Sequence, residues 1–252
     1  MGEHRFHTPL PMTLEAAIPA GDLQVETVDG EETWIEVDGD EKLVERVEVR
    51  QEGDRVVVEF RGKKPFGLTI AIGDFSFGTE RLRVRAHVPH GADAKLASTS
   101  ADIAVQGRLR RLDTKTTSGD VRVTGEVEQD AHLKTVSGDA RIDRVGGDLA
   151  LQAVSGDLWA GWVGGSVESK SVSGDIRIES LRAGSATFTS VSGDVAVGIA
   201  AGSFLDVDAG SVSGDLGSEV PLSSEPSEGG DGPTVILRGK TVSGDVRVFR
   251  AA

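Results

Sequence analysis

A Ser-Gly-Asp triplet recurs seven times along the chain: Ser118-Gly119-Asp120, Ser137-Gly138-Asp139, Ser155-Gly156-Asp157, Ser173-Gly174-Asp175, Ser192-Gly193-Asp194, Ser213-Gly214-Asp215 and Ser243-Gly244-Asp245. Successive copies start 19, 18, 18, 19, 21 and 30 residues apart, and a degenerate copy, Ser100-Ala101-Asp102, precedes the first by 18. A near-constant period of this size marks stacked structural units, each too small to bury its own apolar face. Repetition this even favours a geometric role for the triplet over a catalytic one.

Around each triplet the apolar residues alternate. In Lys134 to Ile142, residues Val136, Gly138, Ala140 and Ile142 share one parity, while Ser137, Asp139 and Arg141 share the other. Strand side chains point to opposite faces in turn, so this pattern predicts a strand with the first set inward and the second outward. Val172 to Ile178 and Val242 to Val248 repeat it. Leu133, Leu151, Phe188 and Ala209 each lie three residues before a valine of the repeat (Val136, Val154, Val191 and Val212). Both members of such a pair face inward only if the chain turns between them, which predicts corners at Lys134-Thr135, Gln152-Ala153, Thr189-Ser190 and Gly210-Ser211. Glycine turns such as Gly146-Gly147 and Gly164-Gly165 close the period.

The expected fold is all-β: a single-stranded parallel β-solenoid (β-helix) of about eight coils of 18–21 residues, carrying an N-terminal β cap. Composition agrees. Aromatic residues make up 4% of the chain and Tyr is absent, while 33 glycines stand among many Val, Ile and Thr, as suits a thin interior bounded by tight turns. No segment between triplets shows the 3.6-residue period of a crossover helix.

Residues 1–91 lack the triplet. Leu23 to Val28, Thr33 to Val37 and Arg81 to Val88 alternate as strands, and Val47 to Val49 with Val56 to Phe60 flank the hairpin signal Gln51-Glu52-Gly53-Asp54. This region reads as the cap that an open solenoid end requires, with Gly62 to Phe77 as a loop over that end. Residues 92–252 read as the solenoid. The acidic, Ser/Pro/Gly-rich stretch 217–233 reads as a loop insertion that lengthens the last step, and Thr234 to Phe249 as the final coil.

A net charge of −14 makes nucleic acid an unsuitable partner, because phosphate backbones are bound through clustered Lys and Arg. Without cysteine there are no disulfides and no thiolate metal sites. No apolar run has the length of a signal peptide or a membrane span, so the expected location is cytoplasmic, without direct membrane insertion.

Stacked coils would bring the triplet aspartates into a row, where like charges repel by roughly 1 kcal/mol per pair in water. Three arrangements could offset this: the arginines two residues on (Arg122, Arg141, Arg177, Arg247), backbone amides of the bend, or bound Ca²⁺. The dense Gly-Gly-x-Gly-x-Asp repeat of calcium β-rolls is missing, so no cofactor or metal is expected. The histidines His4, His7, His87, His90 and His132 form no acid–base constellation, although His4 and His7 are close enough in sequence to consider as metal ligands. Gly-x-Ser-x-Gly and His-Glu-x-x-His motifs are absent, and no catalytic residue is nominated.

Trp159 holds the outward position that Arg fills in four other copies, and Trp162 falls in the expected following turn. Because Trp is enriched at binding hot spots, the pair is the candidate interface, for a partner or for self-association.

The phrase Val-Ser-Gly-Asp-Val-Arg-Val, together with Ala20-Gly21-Asp22-Leu23 and Val84 to Gly91, resembles the bacterial toastrack-domain family, also called the "putative adhesin" family, over about residue 14 to the C-terminus. The resemblance implies a β-solenoid of short parallel strands without established catalytic residues. It further implies an assembly scaffold, since members are often fused to or encoded beside membrane proteins of envelope-stress systems. The expected function is a non-enzymatic scaffold or protein-interaction module. A carbohydrate-binding or carbohydrate-active β-helix and a calcium-stabilised adhesin module are the alternatives.

Overall fold

The computed structural model describes residues 2–61, 82–219 and 233–251. The loop read at Gly62 to Phe77 lies outside them, as does most of the acidic insertion. The described residues form one continuous hydrogen-bonded sheet wound into a parallel solenoid, with a single four-residue helix at Glu41–Val44.

Each coil is one rung of the rod. In spatial order, rung 1 is Arg55–Phe60 with Leu82–Pro89, rung 2 the long strand Thr13–Val28, and rung 3 the long strand Asp93–Leu109. Rung 4 is Arg111–Lys115 with Val121–Val127, rung 5 Ala131–Lys134 with Ala140–Val145, and rung 6 Leu149–Gln152 with Leu158–Val163. Rung 7 is Val167–Lys170 with Ile176–Leu181, and rung 8 Gly184–Ser192 with Val195–Ile199. Rung 9 is Thr234–Ser243 with Val246–Arg250, and rung 10 Phe204–Ser213 with Leu216–Ser218. At the parallel spacing these ten rungs span about 43 Å. Eight of them come from residues beyond 92, and two more from the segment read as the cap. The cap proper is antiparallel: Val47–Glu52 pairs with Arg55–Phe60, Glu32–Gly39 with Leu82–Pro89, and Gly2–His7 with Glu32–Gly39.

The two ends share a topological device. Residues 13–28 lie between a rung formed by residues 55–60 and 82–89 and one formed by residues 93–109, and residues 234–250 slot between rungs formed by residues 184–199 and 204–218. The expected final coil is therefore the penultimate rung in space. The outermost one is Phe204–Ser218.

Inward ladders of small aliphatic side chains fill the rod: Ala140, Leu158, Ile176, Val195 and Val246 stack at one position, and Ile142, Ala160, Ile178, Val197 and Val248 at the next. Each fully buried Leu, Ile or Val adds roughly 1.5–3 kcal/mol of transfer free energy. Phe188 is the largest fully buried side chain, and it fits because its partner on rung 9 is Gly239; a Cβ there would lie 2.5 Å from the ring.

The corners fall one to two residues later than the apolar spacing implies. Thr135, Ala153, Ser171, Ser190 and Thr241 point inward, and the valines that follow them point out. The inner corner seat is narrow and takes Thr, Ser or Ala. On rungs 4 and 5 the Thr hydroxyl turns back to accept the glycine amide, Gly119 N–H to Thr116 Oγ1 at 3.1 Å and Gly138 N–H to Thr135 Oγ1 at 2.9 Å. A valine in that seat would leave the amide without this acceptor, so the hydroxyl takes it despite its lower hydrophobicity.

Candidate functional site

The triplet locks one rung to the next. A Cβ on Gly156 would lie 2.3 Å from the carbonyl oxygen of Gly138, and Gly156 adopts φ +143°, so both space and conformation require glycine. Each aspartate then spans a rung boundary: Oδ1 of Asp102, Asp120, Asp139, Asp157, Asp175, Asp194 and Asp245 accepts the amide of the next aspartate in the stack, ending at Asp215, over 2.8–3.0 Å. A shorter ladder runs through the return turns, from Asp148 N–H to Asp130 Oδ1 and from Ser166 N–H to Asp148 Oδ1.

Backbone amides therefore offset the carboxylate row through charge-assisted hydrogen bonds. The expected pairing with arginine two residues on is not what forms: Arg141, Arg177 and Arg247 pair with Asp143, Glu179 and Glu219 instead. Among the described residues, no group of three or more His, Asp or Glu is arranged to hold a metal ion. His4 and His7 differ in parity along Gly2–His7 and face opposite sides of the strand.

The outward corner valines form a second surface feature. Val136, Val154, Val172, Val191, Val242 and Val212 stack on rungs 5 to 10, with exposures from 37% at Val136 to 83% at Val212. The expectation that these valines face the core is corrected by this placement.

On the opposite strand of each coil, Trp159 points outward between Arg141 and Arg177 in the neighbouring rungs, with Leu158 and Ala160 buried on either side of it. The Arg141 guanidinium lies 3.9 Å from the Trp159 ring centre, and Trp159 Nε1–H donates to Glu179 Oε1 at 3.1 Å. Trp162 belongs to the strand Leu158–Val163 rather than to the following turn, and Arg144 covers its ring at 5.0 Å. Both rings lie low across glycines: a Cβ at Gly161 or Gly164 would meet Trp159 or Trp162 within 3.1 Å. Arg177 continues the patch by lying 5.3 Å from the Phe249 ring. Two hydrogen bonds from Arg177 hold the Glu179 carboxyl below its usual range, with Trp159 adding a third. The result is a half-buried, ordered strip of alternating arginine and aromatic groups.

A second aromatic cluster, without a local sequence signal, centres on Trp34. This indole stacks on His87 at 4.8 Å, with Arg5 5.9 Å from its ring, because the cap strands align these three residues in register. The alternation of Thr33 to Val37 already placed Trp34 outward; its companions come from strands far apart in sequence.

The family model described as Toastrack DUF4097 matches residues 12–249. A search of curated proteins found no match. The fold is shared with several solved structures. A "putative lipid binding protein" from Parabacteroides distasonis ATCC 8503 superposes with TM-score 0.62 at 12% identity, over 98% of this chain and 96% of that one. A "putative adhesin" from Bacteroides fragilis NCTC 9343 gives 0.54 at 13% identity, over 97% and 95%. Another "putative adhesin", from Parabacteroides merdae ATCC 43184, gives 0.53 at 13% identity, over 98% and 95%.

Proposed function

The chain belongs to the Toastrack family, and from that membership and its surface chemistry we propose that it is a non-enzymatic scaffold that engages a protein partner through the Trp159–Trp162 face. The observation that carries this reading is the ordering of that face. Arg141, Arg144 and Glu179 hold both indoles in place before any partner arrives. Trp and Arg are the side chains most enriched at binding hot spots, and side chains ordered in advance lose less entropy on binding. The triplets support a scaffold from the other direction, since their glycines and aspartates join rungs. Two solved neighbours carry the name "putative adhesin", which accords with a rigid rod that displays a surface.

The test is affinity capture from host extract on the intact chain, compared with a Trp159→Ala/Trp162→Ala variant. A protein retained by the parent and lost by the variant, while the variant keeps its β-rich circular dichroism, supports the proposal. Equal retention by both proteins, or binding to a glycan array in place of any protein, would reject it.

A further inference from the structure

Isolated exposed valines are ordinary on protein surfaces. Six in register are a different feature: Val136, Val154, Val172, Val191, Val242 and Val212 make a continuous apolar ridge about 24 Å long at the rung spacing. The backbone does not require this. Thr117 on rung 4 occupies the same corner position, and its corner carries the same Thr-hydroxyl-to-glycine-amide bond as the corner of Val136. Thr99 holds the position on rung 3. Threonine has a similar shape and strand preference, so the change to valine over six rungs adds only apolar surface.

The rows beside the ridge carry opposite charge. Two residues before the valines stand Lys134, Lys170 and Lys240, interleaved with Gln152, Thr189 and Gly210, and Lys115 extends the row onto rung 4; Lys170 also pairs with Glu168. Three residues after them runs the aspartate row from Asp120 to Asp215. Lysine, valine, serine and aspartate rows thus run in that order across the face, each along the rod.

We propose that the ridge is a self-association surface, and that its occupant is a second copy of this chain related by a twofold axis parallel to the solenoid axis. Charge selects that symmetry. A twofold along the rod lays the lysine row of each copy over the aspartate row of the other and sets each valine beside its own equivalent. A twofold perpendicular to the rod sets lysines on lysines and aspartates on aspartates, so repulsion disfavours it. A stripe about 24 Å by about 15 Å covers about 360 Å² per copy, below the area of a stable interface, so the dimer should be weak and reversible. This surface is separate from the tryptophan face and goes beyond the scaffold reading, so either can fail alone.

Sedimentation of the intact chain from 1 to 500 µM tests the proposal. The expected result is a monomer–dimer equilibrium that weakens several-fold as salt rises from 0.1 to 0.5 M, because the flanking rows are exposed and screened. The variant Val154→Thr/Val172→Thr/Val191→Thr copies the residue that rungs 3 and 4 already accept. It should keep its melting temperature and lose at least tenfold in dimer affinity. Since the chain has no cysteine, single substitutions report the orientation. Val136→Cys and Val212→Cys, at the two ends of the ridge, should each form disulfide-linked homodimers alone, as equivalent residues face each other across a parallel axis. Cross-linking only in a mixture of the two would establish the perpendicular arrangement and overturn the proposal. A monomer throughout the concentration range, a dimer unchanged by the threonine variant, or a monomer that binds lipid vesicles through the ridge would overturn it equally.

Discussion

The amide of Asp139 donates to Oδ1 of Asp120 across 3.0 Å, and the Asp139 carboxylate then accepts the amide of Asp157 at 2.9 Å. One residue type thus closes both sides of every rung boundary it occupies, which explains how carboxylates can stack at strand spacing.

The ladder separates geometry from charge. Asp157→Ala removes the acceptor for the Asp175 amide and should cost about 1–2 kcal/mol. Asp157→Asn keeps an oxygen in place and relieves repulsion along the row, so it should be nearly neutral. Urea unfolding of the two variants measures the difference. Melting curves in EDTA and in millimolar Ca²⁺ should coincide, because a cation bound only by the folded state would raise stability.

At the triplet glycine, backbone and space act together. Gly156→Ala would place a Cβ 2.3 Å from a carbonyl oxygen at φ +143° and should destabilise by about 3 kcal/mol or more, or prevent folding. Gly210→Ala, where an added Cβ meets nothing within 4 Å, should change stability by less than about 0.5 kcal/mol. Thermal melts of the pair check both.

Phe188 and Gly239 should behave as a coupled pair. Gly239→Ala alone drives a methyl group into the ring and should cost about 1–3 kcal/mol. Phe188→Leu alone leaves part of the cavity empty. The double variant should be more stable than the sum of the two losses predicts, with a coupling of about 1 kcal/mol in a double-mutant cycle.

Acid should loosen the tryptophan face. Arg177 hydrogen bonds hold the Glu179 carboxyl below its usual range in the folded state, so its contribution is fully present above the unfolded value of about 4.3 and fades as pH falls through the lower, folded value. The stability difference between the parent and Glu179→Gln should be constant above about pH 5 and shrink below it. Trp159 emission should follow the same curve, since its indole donates to that carboxyl.

The period and the strand parity after each triplet were legible, because Ala140 and Ile142 obey simple alternation. The corner was not. Ranking residues by hydrophobicity places Val136 inside and Thr135 outside, whereas the narrow seat and the waiting Gly138 amide decide the reverse. The same limit hid the counter-ions: Asp139 and Arg141 share a strand face, but the amide of the next rung reaches the carboxylate first. Trp159 was rightly placed outward, yet its covering Arg141 comes from the rung before, 18 residues away. The rung order at the ends had no local signal at all, because strands 204–218 and 234–250 carry the same triplet and differ only in which neighbour each has to cover.

Placing residues 234–250 one rung inside the end changes how the rod responds to force. A stack that ends on its own last strand can be peeled, one hydrogen bond breaking after another at an advancing front. Val246–Arg250 instead has Val195–Ile199 on one side and Leu216–Ser218 on the other. Tension applied at Arg250 must therefore slide a strand between two neighbours and load several bonds of both ladders at once. Residues 13–28 impose the same condition at the other end. A rod locked this way resists peeling at its ends.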